Sequence, residues 1–205
     1  MFSEKSSILL GQMRISPDGY FEKIQRKFQS DAEFFCKLIE YFDSKDKIGS
    51  RHTFLNFWKD CETGYDCESE IFNWAYEFYN NLSRYFNSGV FGLFKFKQAE
   101  WGAPIVKITK DDVMASNVEL LDNPQKIYRG LSKAEHLNKE YAQSWTLELS
   151  KAIYFAYDVY SDKVDGIVVE AMVQRKDIIY YDKNDSEQEV IIEFGAIKNA
   201  KILEC

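Results

Sequence analysis

The stretch Gln125-Lys-Ile-Tyr-Arg-Gly-Leu131 decides the fold of this chain, because it reads as an apolar-edged strand and the texture of everything downstream follows from it. It carries Arg129 between an aromatic, Tyr128, and a glycine, Gly130. A guanidinium among Ile127, Tyr128 and Leu131 must sit at a sheet end or meet an anion, since burying it unpaired costs on the order of several kcal/mol. Two partners are open for it. One is a structural carboxylate, the other an anionic ligand.

Downstream of this strand the pattern predicts four more strands, over 142–147, 166–174, 177–181 and 187–194, with helices over 132–139 and 148–157. Upstream, 111–121 reads as a short helix. The first hundred residues read mainly as helices. Apolar residues recur from Phe21 through Ile24, Phe28, Phe35, Leu38, Ile39 and Phe42, and again from Ile71 through Phe72, Trp74, Phe78, Tyr79, Leu82 and Phe86. Ser30 with Glu33 forms a capping box that splits the first run, which Pro17 opens. Residues 88–98, with two glycines and alternating Phe94, Lys95, Phe96 and Lys97, read as extended structure or loop. Helices followed by mostly strands make an α+β protein, with a helical, aromatic-rich region over 1–103 and a second region over 104–205 after Trp101-Gly-Ala-Pro104.

Composition excludes several classes. With 205 residues, 45% hydrophobic and 16% aromatic, the chain has ample material for a core, and the aromatics at helical spacing are read as core rather than as a docking surface for a partner or nucleobase. The net charge of -7 argues against long-range attraction to a phosphate backbone. No apolar run reaches the roughly 20 residues of a membrane span, and the N-terminus lacks the pattern of a signal peptide, so a cytoplasmic location is expected. Cys36, Cys61, Cys67 and Cys205 show no disulfide rhythm. The spacing of Cys61 and Cys67, even with His52 nearby, does not match a zinc knuckle, so no metal is expected.

Three strand-borne groups carry the chemistry. Tyr128-Arg129-Gly130 comes first, and Gln143-Ser144-Trp145-Thr146 follows, running into a helix that would turn Ala152, Phe155 and Ala156 inward. Glu187-Gln188-Glu189 is the third, two carboxylates two apart, which on a strand share one face. Like charges so placed are unfavourable on a plain solvated strand. They suit a site where a cation develops or where a nucleophile must be positioned.

In this order and context the three groups resemble the Arg-Ser-Glu class of ADP-ribosyltransferases, the cholera-toxin-like branch that includes many bacterial toxins, over residues 104–205. The resemblance implies a split β-sandwich of mostly antiparallel strands and NAD as co-substrate. Glu189 would then stabilise the oxocarbenium-like ribose left when nicotinamide departs, the kind of charge that glycosidases meet with carboxylates. Arg129 would hold the dinucleotide phosphates with its planar fork. The main chain of Gly130 would grip the nicotinamide amide, beside Tyr128. Ser144 would orient Glu189, Thr146 would buttress its strand, and Phe155 or Tyr154 would lie against the nicotinamide ring. Glu187 would help activate the acceptor, with Tyr181 as a contact residue in the turn before it.

The family often has Ser-Thr-Ser where this chain has Ser144-Trp145-Thr146, which leaves Trp145 to pack in the core or to shape the site. The implied function is mono-ADP-ribosyl transfer to a macromolecular acceptor, a protein side chain such as arginine or a nucleic-acid base. The implied setting is a toxin of a toxin-antitoxin or anti-phage defence system, with an antitoxin as partner. NAD hydrolysis and an inactive binding module on the same scaffold are the alternatives.

Overall fold

The computed structural model describes residues 3–16, 22, 26, 32–42, 49–60, 68–96, 106–159 and 165–204. The expectations placed on Pro17, on the Ser30 and Glu33 capping box, on Cys61, Cys67 and Cys205, and on Trp101 to Pro104 fall outside the residues or side chains described. The chain divides into two units, Met1–Lys107 and Ile108–Cys205.

The first unit is helical. Among the described residues its elements are α1 (Glu4–Gln12), α2 (Ala32–Tyr41), α3 (Arg51–Asp60) and α4 (Glu70–Phe94). Ser3 caps α1 by accepting the Ser6 amide at 3.2 Å, and Ser69 caps α4 by accepting that of Phe72 at 3.2 Å, each satisfying an amide that a helix start leaves unpaired. The aromatics are interior. Phe42, Phe54, Phe57, Phe72 and Tyr79 are buried together, with Phe42 meeting Tyr79 edge-on at 4.7 Å and Phe54 meeting Phe72 at 5.4 Å. The Tyr79 hydroxyl stays satisfied in this apolar setting by donating to the Ser50 carbonyl at 3.1 Å and accepting from the Gly49 amide at 2.8 Å.

Residues 88–94 are helical rather than extended, a correction to the sequence reading. Leu93 is fully buried in the aromatic core, so the chain keeps the helix and absorbs the change of direction at one residue, Gly89, which takes φ 63°. Glycine adopts that conformation without steric cost, so the helix kinks there instead of ending.

The second unit is a six-stranded sheet: β1 (Gln125–Ser132), β2 (Ser144–Thr146), β3 (Gly166–Val173), β4 (Ile178–Tyr181), β5 (Glu189–Ile192) and β6 (Lys201–Leu203). Their spatial order is β4-β5-β2-β1-β3-β6, and every neighbouring pair is antiparallel. The chain is therefore α+β, a helical N-terminal region followed by an antiparallel sheet. Two short helices interrupt it, α5 (Lys133–Asn138) and α6 (Leu149–Tyr154), the latter running into a π-helical turn at Phe155–Val159.

One face of the sheet buries Ile127, Leu131, Trp145, Val169, Ala171, Val173, Val190 and Ile192 in a common core. The other face packs under α6, where Ala152 and Ala156 meet Val168 and the half-buried Tyr128. A β-carbon at Gly130 would lie 2.3 Å from the Ala152 carbonyl oxygen and 2.6 Å from the Ala156 amide nitrogen. The glycine is needed because a helix backbone rests directly on it. The small side chains of Ala152 and Ala156 permit the same close approach from above.

Residues 111–121 do not form one helix. Two single 3-10 turns, Lys110–Asp112 and Val118–Leu120, replace it. The polar residues between them bind the edge of β4 instead, with the Tyr181 amide donating to Ser116 Oγ at 3.0 Å and the Asn117 amide donating to the Tyr181 carbonyl at 2.7 Å. Ser and Asn compete in this way with regular helix, and the bonds cover a strand edge that would otherwise stand open. Among the described residues no helix is long and apolar enough to cross a membrane.

Candidate active site

Register sets which side chains can meet. Tyr128 lies opposite Thr146 in the β1–β2 ladder, while Ser144 lies opposite Ile191 and Thr146 opposite Glu189 in the β2–β5 ladder. Alternation therefore puts Tyr128, Gly130, Ser144, Thr146 and Glu189 on the α6 face, and Arg129, Trp145 and Val190 on the core face.

The Ser144 hydroxyl donates to Glu189 Oε1 at 2.5 Å. Glu189 is half-buried at the start of β5, and this bond restrains its carboxylate toward β2. Thr146, buried just along β2, uses its hydroxyl twice. It donates to the Glu187 carbonyl at 2.8 Å and accepts from the Glu148 amide at 3.1 Å, tying the turn before β5 to the start of α6. Both interactions are internal, so Thr146 buttresses the turn against the helix.

Arg129 corrects the sequence reading most. The resemblance implies a guanidinium that holds the dinucleotide phosphates. Instead the register turns its side chain to the opposite face. Nε donates to Glu135 Oε1 at 3.0 Å, Nη2 to Glu135 Oε2 at 3.4 Å and Nη1 to the Ser144 main-chain carbonyl at 2.5 Å. The structural carboxylate, one of the two partners left open for this arginine, is the one present. The pair is half-buried, with side-chain exposures of 19% and 23%.

The carbonyl contact has a cause in the strands. Leu147 donates to Gln188 and Ile192 to Gln143, so the odd-numbered residues of β2 and its flanks face β5 while Ser144 and Thr146 turn their main chains to β1. The β1–β2 ladder has one register pair, Tyr128 with Thr146, and the next, Gly130 with Ser144, lies outside it. Where that pair would close, the Ser144 carbonyl takes the Arg129 Nη1 donor. By the same alternation Gly130 points its N–H and C=O into the seam.

Glu187 is a second correction. It is not on β5 but in the preceding turn, exposed, and Gln188 between the two glutamates has φ 48°, so the same-face argument for Glu187 and Glu189 does not apply. Gln188 holds that turn together: its Oε1 accepts from the Tyr181 hydroxyl at 2.8 Å and its Nε2 donates to the Asp185 carbonyl at 2.7 Å. Tyr181 is a third correction. Opposite Val190, it belongs to the core face and is only 7% exposed, packed in the sheet core rather than presented on the turn. Burial, and next the charge of Asp182, raise its hydroxyl pKa above the usual value.

Of the two aromatic candidates, Phe155 is half-buried and Tyr154 is 53% exposed, so the helix turns alanines inward and neither ring fills the core. Trp145 is core, with its indole N–H on the Ala142 carbonyl at 3.0 Å. Sequence reasoning missed Glu135 and Gln188. The signal for Glu135 was present in Ser132-x-x-Glu135 directly after the strand, since Ser132 caps α5 by accepting the Glu135 amide at 3.2 Å. Among the described residues no cluster of three or more His, Cys, Asp or Glu is gathered for a metal. Comparison of the chain with protein-family models, curated proteins and solved structures found no match.

Proposed function

We propose that this chain is a NAD-dependent mono-ADP-ribosyltransferase, and the observation that carries the proposal is the 2.5 Å bond from the Ser144 hydroxyl to the Glu189 carboxylate. That bond joins two residues 45 positions apart in sequence, and it supports the reading in which Ser144 orients Glu189, the role the resemblance implies. In the proposed reaction the N-glycosidic bond of NAD breaks and its electron pair leaves with nicotinamide. The ribosyl cation forms against Glu189, an acceptor nucleophile adds to the anomeric carbon, and the acceptor's proton passes to solvent. A fixed negative charge lowers the barrier because it is set in place before the positive charge develops. The main-chain N–H and C=O of Gly130, facing the seam, offer the donor and acceptor that a carboxamide needs.

Arg129 has a different place in this proposal from the one the resemblance implies. It shapes the seam by holding the Ser144 carbonyl, with its guanidinium paired to Glu135. A toxin role with an antitoxin partner extends the proposal on the resemblance alone.

Hydrolysis of NAD, with water as acceptor, has one observation in its favour. Glu187, the residue assigned to acceptor activation, stands in an exposed turn away from the strand, whereas the Ser144–Glu189 pair that would serve either reaction is intact. Purified protein incubated with labelled NAD and cell extract decides between them. Label on protein or RNA is the expected result, free ADP-ribose alone establishes hydrolysis, and no release of nicotinamide from a folded protein rejects both and leaves a binding module.

A further inference from the structure

We propose that Glu135 is a positioning residue for the Ser144–Glu189 pair, acting through Arg129; this rests on the transferase reading for its catalytic consequence. Its carboxylate touches both sides of the seam. On the β1 side it takes Nε and Nη2 of Arg129 in a two-point contact, and on the β2 side its Oε1 accepts the Ala142 amide at 3.0 Å, two residues before Ser144. Two parallel N–H bonds to one carboxylate fix the plane of a guanidinium as well as its place. With Nε and Nη2 so held, Nη1 is aimed at the Ser144 carbonyl at 2.5 Å. The backbone of Ser144 is thereby set, and its hydroxyl meets Glu189. The relay runs Glu135, Arg129, Ser144, Glu189, across three strands.

Stability alone does not account for this arrangement. A half-buried ion pair recovers little beyond the cost of removing its charges from water, so an apolar pair of similar volume would serve the fold as well. An apolar pair could not hold a carbonyl at a point where the ladder has ended. Glu135 is itself rigidly placed, in the first turn of α5 with its amide on the Ser132 cap.

The test uses the full chain with Glu135→Gln, Glu135→Asp and Ser144→Ala, read by nicotinamide release and by the carbon-13 shift of the Glu189 side-chain carboxyl. In Glu135→Gln kcat is expected to fall roughly 10- to 100-fold, the loss typical of a displaced supporting group, with KM for NAD within about twofold. Glu135→Asp keeps the charge at shorter reach and falls in between; it serves also if the glutamine variant does not fold. The Glu189 carboxyl shift moves toward its value in Ser144→Ala, and adding Glu135→Gln to Ser144→Ala changes neither readout further, since the relay is already cut. An unchanged kcat and shift, or fully additive losses, overturns the proposal. If the wild-type protein releases no nicotinamide, the transferase reading fails while the carboxyl shift still decides the role of Glu135.

Discussion

The Ser144 hydroxyl and the Glu189 carboxylate meet at 2.5 Å although they are not register partners: Ser144 stands opposite Ile191, and Glu189 opposite Thr146. Diagonal neighbours on an antiparallel pair lie farther apart than direct ones, so the two side chains lean toward each other to make this contact. Glu189→Gln keeps the shape and an acceptor oxygen but removes the charge. Nicotinamide release should fall at least about 100-fold with an unaltered melting temperature. Near-wild-type turnover in this variant would remove Glu189 from the mechanism.

Glu187 is exposed in the turn before β5, joined to the framework through its main chain rather than its side chain contacting Glu189's strand face. Glu187→Gln should therefore fold normally, lose transfer to the acceptor by roughly 10-fold or more, and keep its NAD hydrolysis. Parallel assays of labelled acceptor and free ADP-ribose give the ratio. If both activities drop together, Glu187 supports the site rather than the acceptor.

Removing Arg129 alone leaves Glu135 half-buried without its counter-charge. Arg129→Met should destabilise the protein by about 2–3 kcal/mol in urea denaturation, while the double change Arg129→Met with Glu135→Met recovers most of that loss. Activity should stay low in the double variant, because no donor holds the Ser144 carbonyl. Recovery of both stability and turnover would show that the pair has no part in the site.

Gly130→Ala places a methyl group against main-chain atoms of Ala152 and Ala156 that cannot rotate away. The expected cost is about 1–3 kcal/mol as α6 is forced off the sheet. Circular dichroism melts report it, and a neutral substitution would show that α6 does not rest on β1 in solution.

Burial raises the hydroxyl pKa of both Tyr79 and Tyr181 above 10.0. A pKa raised in the folded state contributes stability that is whole below the unfolded value and is lost as pH rises through the folded one. The protein should hold its stability up to about pH 10 and weaken above it, with the two phenols ionising late in an ultraviolet titration. Tyr181→Phe should remove part of that alkaline slope; an identical slope would place the Tyr181 hydroxyl in water.

Elements with strong local signals were legible. The strand at 125–131 and the helix built on Trp74, Phe78 and Leu82 both follow from spacing and composition. Strand β6 was missed because three residues with one partner carry too little pattern of their own. The helix expected over 111–121 was lost to hydrogen bonds with Tyr181, a residue far away in sequence, and no local pattern announces such a competitor.

The site divides in the same way. Sequence alone determined the identity and order of Arg129, Ser144 and Glu189 and the strands that bear them. The tertiary structure decided that Ser144 meets Glu189, that Arg129 turns to Glu135 on the other face, and that Glu187 leaves the strand. The physical reason is register. A side chain's face depends on which residue stands opposite it across the ladder, and one left-handed residue, Gln188, or one missing pair, Gly130 with Ser144, redirects groups that a strict two-residue alternation would have aligned.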